Sequence, residues 1–290
     1  MASKHILVPI GFSDQSLIAL EQAVQVAKVL KAKVTLISVI EESNTFFGLM
    51  DDKEKVETMK KQVDIKLKEL TDQYKGSGLS FATAVRSGSV YHDVVDFAEK
   101  NDVNLIVMGT DGKPSSIAGR FIGSNAYRIV TSSPCPVITI KGKDHRKGLK
   151  KIILPLDLEK ETKQKVAHGI QFAKLFGAEI HVISVVMSSD EFIQNTLKRN
   201  LKSVSSFIQG KGITCVSKLL KPKKGESLSD AVRSYATEEN ADLIIIMTQQ
   251  EGNITEFFLG SAAQSLIYHS NIPVKSIRPK LSNSLVYDLP

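Results

Sequence analysis

Residues 5–40 of this chain are restated by residues 151–186. The stretch HILVPIGFSDQSLIALEQAVQVAKVLKAKVTLISVI returns 146 positions later as KIILPLDLEKETKQKVAHGIQFAKLFGAEIHVISVV. Pro9 falls on Pro155, Ala27 on Ala173 and Ser38 on Ser184. The later parts also match: Gly123-Ser124 falls on Gly260-Ser261 and Pro136-Val137 on Pro273-Val274, now 137 apart. A unit of this length is a whole domain and not one turn of a solenoid. The 290 residues therefore divide into two copies of one architecture, each of roughly 140 residues, near the usual domain size. The predicted boundaries are residues 1–143 and 149–280, with a linker over Gly142 to Lys150 and a tail at 281–290. A site kept in one copy and lost in the other can be read from the chain itself.

Within each copy, apolar runs alternate with helical patterns. HILVPI is a short continuous apolar stretch, as expected for a strand covered on both faces. Ser13 is placed to cap a helix, and Leu20, Ala23, Val24, Ala27 and Leu30 recur at helical spacing. VTLISVI, LSFATAVRSG, VNLIVMG and the segment from Pro136 to Ile140 read as further strands. Asp51 to Tyr74 and Val90 to Lys100 read as helices. The second copy offers KIILPL, EIHVISVV, ITCVSKLL, ADLIIIM and PVKSIR as strands. Strict alternation implies right-handed crossovers and an open, parallel sheet with helices on both faces. Ligands of such sheets bind at the carboxyl ends of the strands, where the strand order reverses.

Composition narrows the function classes. The net charge of +7 comes from lysines spread along the chain, without arginine-rich runs or interleaved aromatics, so nucleic-acid binding is not expected. The two cysteines, Cys135 and Cys215, lie in different copies and read as buried small hydrophobes in a reducing compartment. No stretch approaches the ~18 apolar residues of a membrane span, and the amino terminus lacks a secretory pattern. The expectation is a cytoplasmic protein with no membrane contact. The six histidines form no metal-ligand spacing, and no nucleophile–base pair stands out.

After the fourth strand the first copy has Gly109 and Gly112, then Gly123-Ser124 opening a helix. Glycines three apart let a phosphate approach backbone amides, and a helix start favours an anion. The VPIGFSDQS end of strand one, the end of strand two and this G-x-x-G…G-S pattern together resemble the universal stress protein family. The resemblance covers both copies. It implies a five-stranded, Rossmann-like fold of the adenine nucleotide alpha hydrolase type, with final strands that pair two domains, here as an intrachain pseudo-dimer. It also implies ATP or AMP as a ligand in many members, bound through G-x2-G-x9-G-[ST] and an aspartate ending strand one; other members bind no nucleotide. The candidate ligand-binding residues of the first copy are Pro9, Val39, Gly109, Gly112, Lys113, Gly123, Ser124 and Asn125. Val39 matches a position whose backbone contacts adenine, and Lys113 and Arg120 flank the cradle. A second, less complete set is Asp157, Val185, Gly260 and Ser261.

The two copies depart from the family pattern in opposite ways. The first has ten residues after Gly112 where the pattern has nine, and Gly11 where the aspartate belongs. The second keeps Asp157, but Met247 and Gln250 stand where the glycines belong. The leading expectation is a non-enzymatic stress-response protein whose first copy binds ATP or AMP as a regulator, with unknown protein partners and homodimers of the chain. The alternative is a nucleotide-free scaffold acting through the pseudo-dimer surface and the apolar Phe46 to Met50 loop. A slow ATPase ranks last, with no catalytic residue assigned. Gly109→Val is expected to abolish a nucleotide effect and spare a scaffold.

Overall fold

The computed structural model describes residues 4–41, 52–110, 124–142, 148–156, 162–250 and 257–279. The first repeat runs β1 (His5–Pro9), α1 (Asp14–Leu30), β2 (Lys33–Glu41), α2 (Asp52–Asp72), β3 (Phe81–Gly88), α3 (Val90–Lys100), β4 (Leu105–Gly109), α4 (Ser124–Ser132) and β5 (Val137–Ile140). The second runs β6 (Lys151–Pro155), α5 (Thr162–Phe176), β7 (Glu179–Val185), α6 (Glu191–Gln209), β8 (Cys215–Leu220), α7 (Leu228–Glu238) and β9 (Leu243–Met247). A short ladder of β10 (Gln249–Gln250) and β11 (Phe257–Phe258) follows, then α8 (Ser261–His269) and β12 (Val274–Ile277).

Local chemistry sets the element ends. The Ser13 hydroxyl accepts from the Ser16 N–H and starts α1; Lys31, in left-handed backbone at φ 51°, stops it. Between them Ala19, Leu20, Ala23, Val24 and Ala27 are buried, as their spacing predicts. The Phe46 to Met50 loop and the tail at 281–290 lie outside the described residues.

All strands except the β10–β11 ladder belong to one ten-stranded sheet in the order β3-β2-β1-β4-β5-β12-β9-β6-β7-β8. Each half is parallel, and its order reverses between β1 and β4, or between β6 and β9. The halves meet where β12 runs antiparallel to β5. One apolar layer joins α1, α2, α5 and α6 to one face of the sheet, with Leu36, Ile138, Ile140, Leu154 and Phe172 among its members. The opposite layer lies under α3, α4, α7 and α8. Each layer is continuous across both repeats.

At the junction Val274 faces Thr139, Lys275 faces Ile138 and Ser276 faces Val137. Because Ile138 is the repeat-one counterpart of Lys275, the pseudo-twofold axis passes through this pair. Lys275 is 1% exposed, and its Nζ lies 3.4 Å from the centroid of the Phe172 ring on α5. Among the described residues no carboxylate forms an ion pair with it. Burial pushes its ammonium down to about 7, while the face of the ring favours the charged form and acts against that shift.

A base with a lowered folded pKa makes the unfolded chain bind more protons between the two values. Stability should therefore rise with pH from about 7 to the ordinary lysine value of 10.5 and be flat on either side. Lys275→Met should remove that slope. It should also add on the order of 1–3 kcal/mol at pH 7, by removing a buried amine that has the Phe172 ring but no ion-pair partner among the described residues. Denaturant unfolding of both proteins at several pH values measures this.

Candidate functional site

The carboxyl ends of β1, β2, β4 and β5 form the crevice of the first repeat. Pro9 ends β1, and Ile10 donates its N–H to Ile37 O at 2.8 Å, holding β1 beside β2 one residue further. Gly11 follows; a Cβ built there meets nothing within 4 Å among the described residues. Phe12 then takes φ 60°, rare for a bulky residue, and is 37% exposed with Lys66 Nζ 5.8 Å from its ring centroid. This left-handed step reverses the chain into Ser13 and α1.

Opposite, β4 ends at Gly109, and Thr110 donates its N–H to Ile140 O at 3.1 Å. Gly109 is pressed against the first turn of α1: a Cβ would lie 2.9 Å from the backbone carbon of Gln15 and 3.0 Å from its carbonyl oxygen. Gln15 in turn donates Nε2 to Lys141 O at 2.9 Å, tying α1 to the end of β5. The remaining acceptor, Gln15 Oε1, is buried with no partner among the described residues. Asn125, in the first turn of α4, donates to Glu41 Oε1 at the end of β2 over a long 3.4 Å. Two helices thus begin at this end of the sheet, and their first-turn N–H groups have no intrahelical partners.

The structure brings Pro9, Val39, Gly109 and Asn125 to these strand and helix ends, and Ser124 opens α4. Gly112, Lys113, Arg120 and Gly123 lie outside the described residues, as does Asp157 in the second repeat. The expectation for Gly109→Val needs correction. The glycine is required for the approach of α1 to β4, so the substitution would disturb folding whether or not a nucleotide binds.

The second repeat builds the same frame with different contents. Leu156 N donates to Ile183 O at 2.7 Å and Thr248 N to Ile277 O at 2.9 Å, as their counterparts do. Met247 takes the place of Gly109 and is 9% exposed. Lys165, the counterpart of Ala19, is buried and donates Nζ to Pro155 O at 2.9 Å, at the end of β6. Val185 ends β7 beside this position. Gly260 precedes α8 with φ −57°, a conformation open to any residue. The loop that carries glycines in the first repeat here pairs as the β10–β11 ladder, and β11 packs beside α4 of the first repeat.

The other titratable groups serve the scaffold. His5 sits between Thr35 Oγ1 and Asn101 O, and His181 between Tyr235 Oη and Glu179, at the amino ends of the strands, away from the crevice. Burial lowers the pKa of both imidazoles and raises the Tyr235 phenol to about 12. The thiols are free and buried; burial pushes Cys135 up to about 11 and Cys215 in the same direction. Among the described residues, no group of three or more His, Cys, Asp or Glu could hold a metal. No helix there is long and apolar enough to cross a membrane.

Two doubly wound half-sheets, each with a crevice at its switch point and joined through their last strands, define a tandem α/β protein. The Universal stress protein family matches residues 2–141 and again residues 148–278, and the chain belongs to that family. A universal stress protein of Methanocaldococcus jannaschii is 34% identical over 141 residues, covering 48% of this chain and 82% of the relative. Universal stress protein A homolog 1 of Coxiella burnetii is 30% identical over 144 residues, covering 48% and 97%. The crystal structure of a universal stress protein from Archaeoglobus fulgidus superposes with a TM-score of 0.76 over 96% of this chain and 99% of its own, at 20% identity. That last match extends the shared fold to the tandem arrangement.

The close approach at Gly109 gives a direct prediction. Gly109→Val should destabilise the protein by about 1–3 kcal/mol through overpacking. The loss should be present already without added nucleotide, read by denaturant unfolding.

Proposed function

We propose that this chain is a stress-response protein of the cytoplasm whose first repeat, residues 1–143, binds ATP or AMP as a regulatory ligand. The second repeat, residues 149–280, serves as a structural partner. The observation that carries this reading is the contrast between the two crevices. In the first, a Cβ at Gly11 meets nothing within 4 Å among the described residues, Gly109 brings β4 against the start of α1, and Asn125 in the first turn of α4 reaches Glu41 at the end of β2. In the second, Met247 and Lys165 bring long side chains to the equivalent strand ends. Pro9 and Val39 would border the base, and Gly112, Gly123, Ser124 and Asn125 would supply amide and side-chain donors to the phosphates, with Lys113 balancing their charge. The role is binding and not catalysis: the ligand would stabilise one state of the protein and bias its choice of partner.

A second reading, a nucleotide-free scaffold, draws on Met187 and Phe192, which are 59% and 73% exposed between β7 and the first turn of α6. Exposed apolar side chains at this end of the second half-sheet would offer a protein contact if they join in one patch.

The test is thermal unfolding of nucleotide-stripped protein with millimolar ATP, AMP and Mg²⁺. A ligand present at about 100 times its Kd stabilises by about 2.7 kcal/mol. A rise in Tm is expected for the wild type and a larger one for Gly11→Asp, because no described residue stands within 4 Å of a Cβ at Gly11 to exclude the missing carboxylate. Gly112→Val should abolish the rise. No rise in either the wild type or Gly11→Asp would leave the scaffold reading.

A further inference from the structure

We propose that Lys275 makes the junction between the repeats heterotypic: it prevents the second repeat from pairing with a copy of itself and directs β12 onto β5. Lys275 and Ile138 face each other across the antiparallel β5–β12 pair, at the pseudo-twofold axis. In any homotypic pairing of the same geometry, the residue on the axis faces its own copy.

Two β5 strands would therefore place Ile138 against Ile138, an apolar contact continuous with the surrounding core. Two β12 strands would place Lys275 against Lys275. Residues directly opposite in an antiparallel pair have Cβ atoms about 4.5–5.5 Å apart, and like charges there are destabilising. Here the site is also closed to water, with Lys275 1% exposed and its Nζ over the Phe172 ring. Among the described residues it has no ion-pair partner, so in such a pair each ammonium would have a Phe172 ring but no carboxylate from that set to offset the repulsion between them. In the observed pairing only one lysine enters the site, and the opposite position is an isoleucine.

A second contact across the junction has the same bias. Thr139 donates Oγ1 to Val274 O at 3.2 Å across the pair. Its counterpart in the second repeat, Ser276, is buried with no partner for Oγ among the described residues. A β12–β12 pair would contain two such serines and no threonine, whereas a β5–β5 pair would contain two threonines. Both differences make the second repeat the one that cannot close on itself.

The experiment uses the full chain with a protease site placed in the linker between Gly142 and Gly148. The folded protein is cleaved there, unfolded in denaturant and refolded with both halves in one sample. Native mass spectrometry then separates the pairs of two first repeats, two second repeats and one of each. The wild type should yield mixed pairs and pairs of first repeats, with pairs of second repeats at least about tenfold rarer than pairs of first repeats. A tenfold bias is the size expected when one buried group is disfavoured by a single pKa unit. Lys275→Ile should raise the pairs of second repeats about tenfold. Where Lys275→Ile refolds poorly by circular dichroism, Lys275→Met takes its place. Ile138→Lys sets two lysines opposite each other in every pairing, and should lower the share of first-repeat pairs until the two homotypic pairs are equally abundant. Equal abundance of the two homotypic pairs in the wild type would overturn the proposal. So would an unchanged share of second-repeat pairs on loss of Lys275, or of first-repeat pairs in Ile138→Lys.

Discussion

The antiparallel contact of β5 with β12 is the interaction on which the rest of the structure depends. β5 reads Val-Ile-Thr-Ile with every residue buried, and β12 is buried throughout as well. Left alone, each half would end its sheet in an uncovered apolar edge, the feature that natural sheets most avoid. Joined, the two edges disappear, and the apolar layers on both faces run across the chain. The remaining edges, β3 and β8, are of a different character. β8 exposes Val216, Ser217 and Lys218, and β3 is only partly buried, with Arg86 near its end.

That junction also fixes the relation between the two crevices. Each opens at the carboxyl ends of its own parallel strands, and the antiparallel contact relates them by an approximate twofold axis. One frame is built twice, down to the Ile10–Ile37 and Leu156–Ile183 hydrogen bonds and the Thr110–Ile140 and Thr248–Ile277 bonds. These bonds are backbone properties and tolerate changes of side chain. The contents of the crevices are side-chain properties and have diverged. Gly109 permits α1 to approach β4, while Met247 fills the equivalent place, and Lys165 reaches a strand-end carbonyl where Ala19 has no group to offer.

Much of this was legible in the sequence because it depends on local pattern. The repeat offset, the apolar strands and the stripe on α1 follow from residues close together in the chain, and the structure places them as their spacing predicts. The location of the crevice follows from strand alternation alone. What was not legible depends on segments brought together from a distance. The glycine at 109 reads as part of a phosphate loop in one dimension, and its close approach to Gln15, 94 residues earlier, shows only in the fold. Phe12 gives no sign of its left-handed backbone, since a bulky residue is a poor choice for it. Lys165 falls among polar residues of a helix, and nothing in that stretch signals that it is 6% exposed. The β10–β11 ladder is too short to leave a periodic signal.

Lys275 is the intermediate case, and it shows what joining two repeats in one chain permits. Its position was visible, as a lysine inside PVKSIR where the first repeat has Ile138, but its meaning appears only with the register of the junction. At a twofold axis between identical subunits, one substitution is made twice and meets itself. A buried lysine there would face a second lysine and cost the desolvation of both. Within one chain the two sides of the axis are separate positions. A lysine on one side can stand opposite an isoleucine with its Nζ over the ring of Phe172, and the pair no longer needs to be compatible with its own copy. The same freedom applies to the crevices, since one can carry Met247 and a strand-end ladder while the other has Gly109 against α1. The covalent link between repeats thus relaxes the constraint of symmetry at the axis and at the sites together, and the sequence has diverged at both.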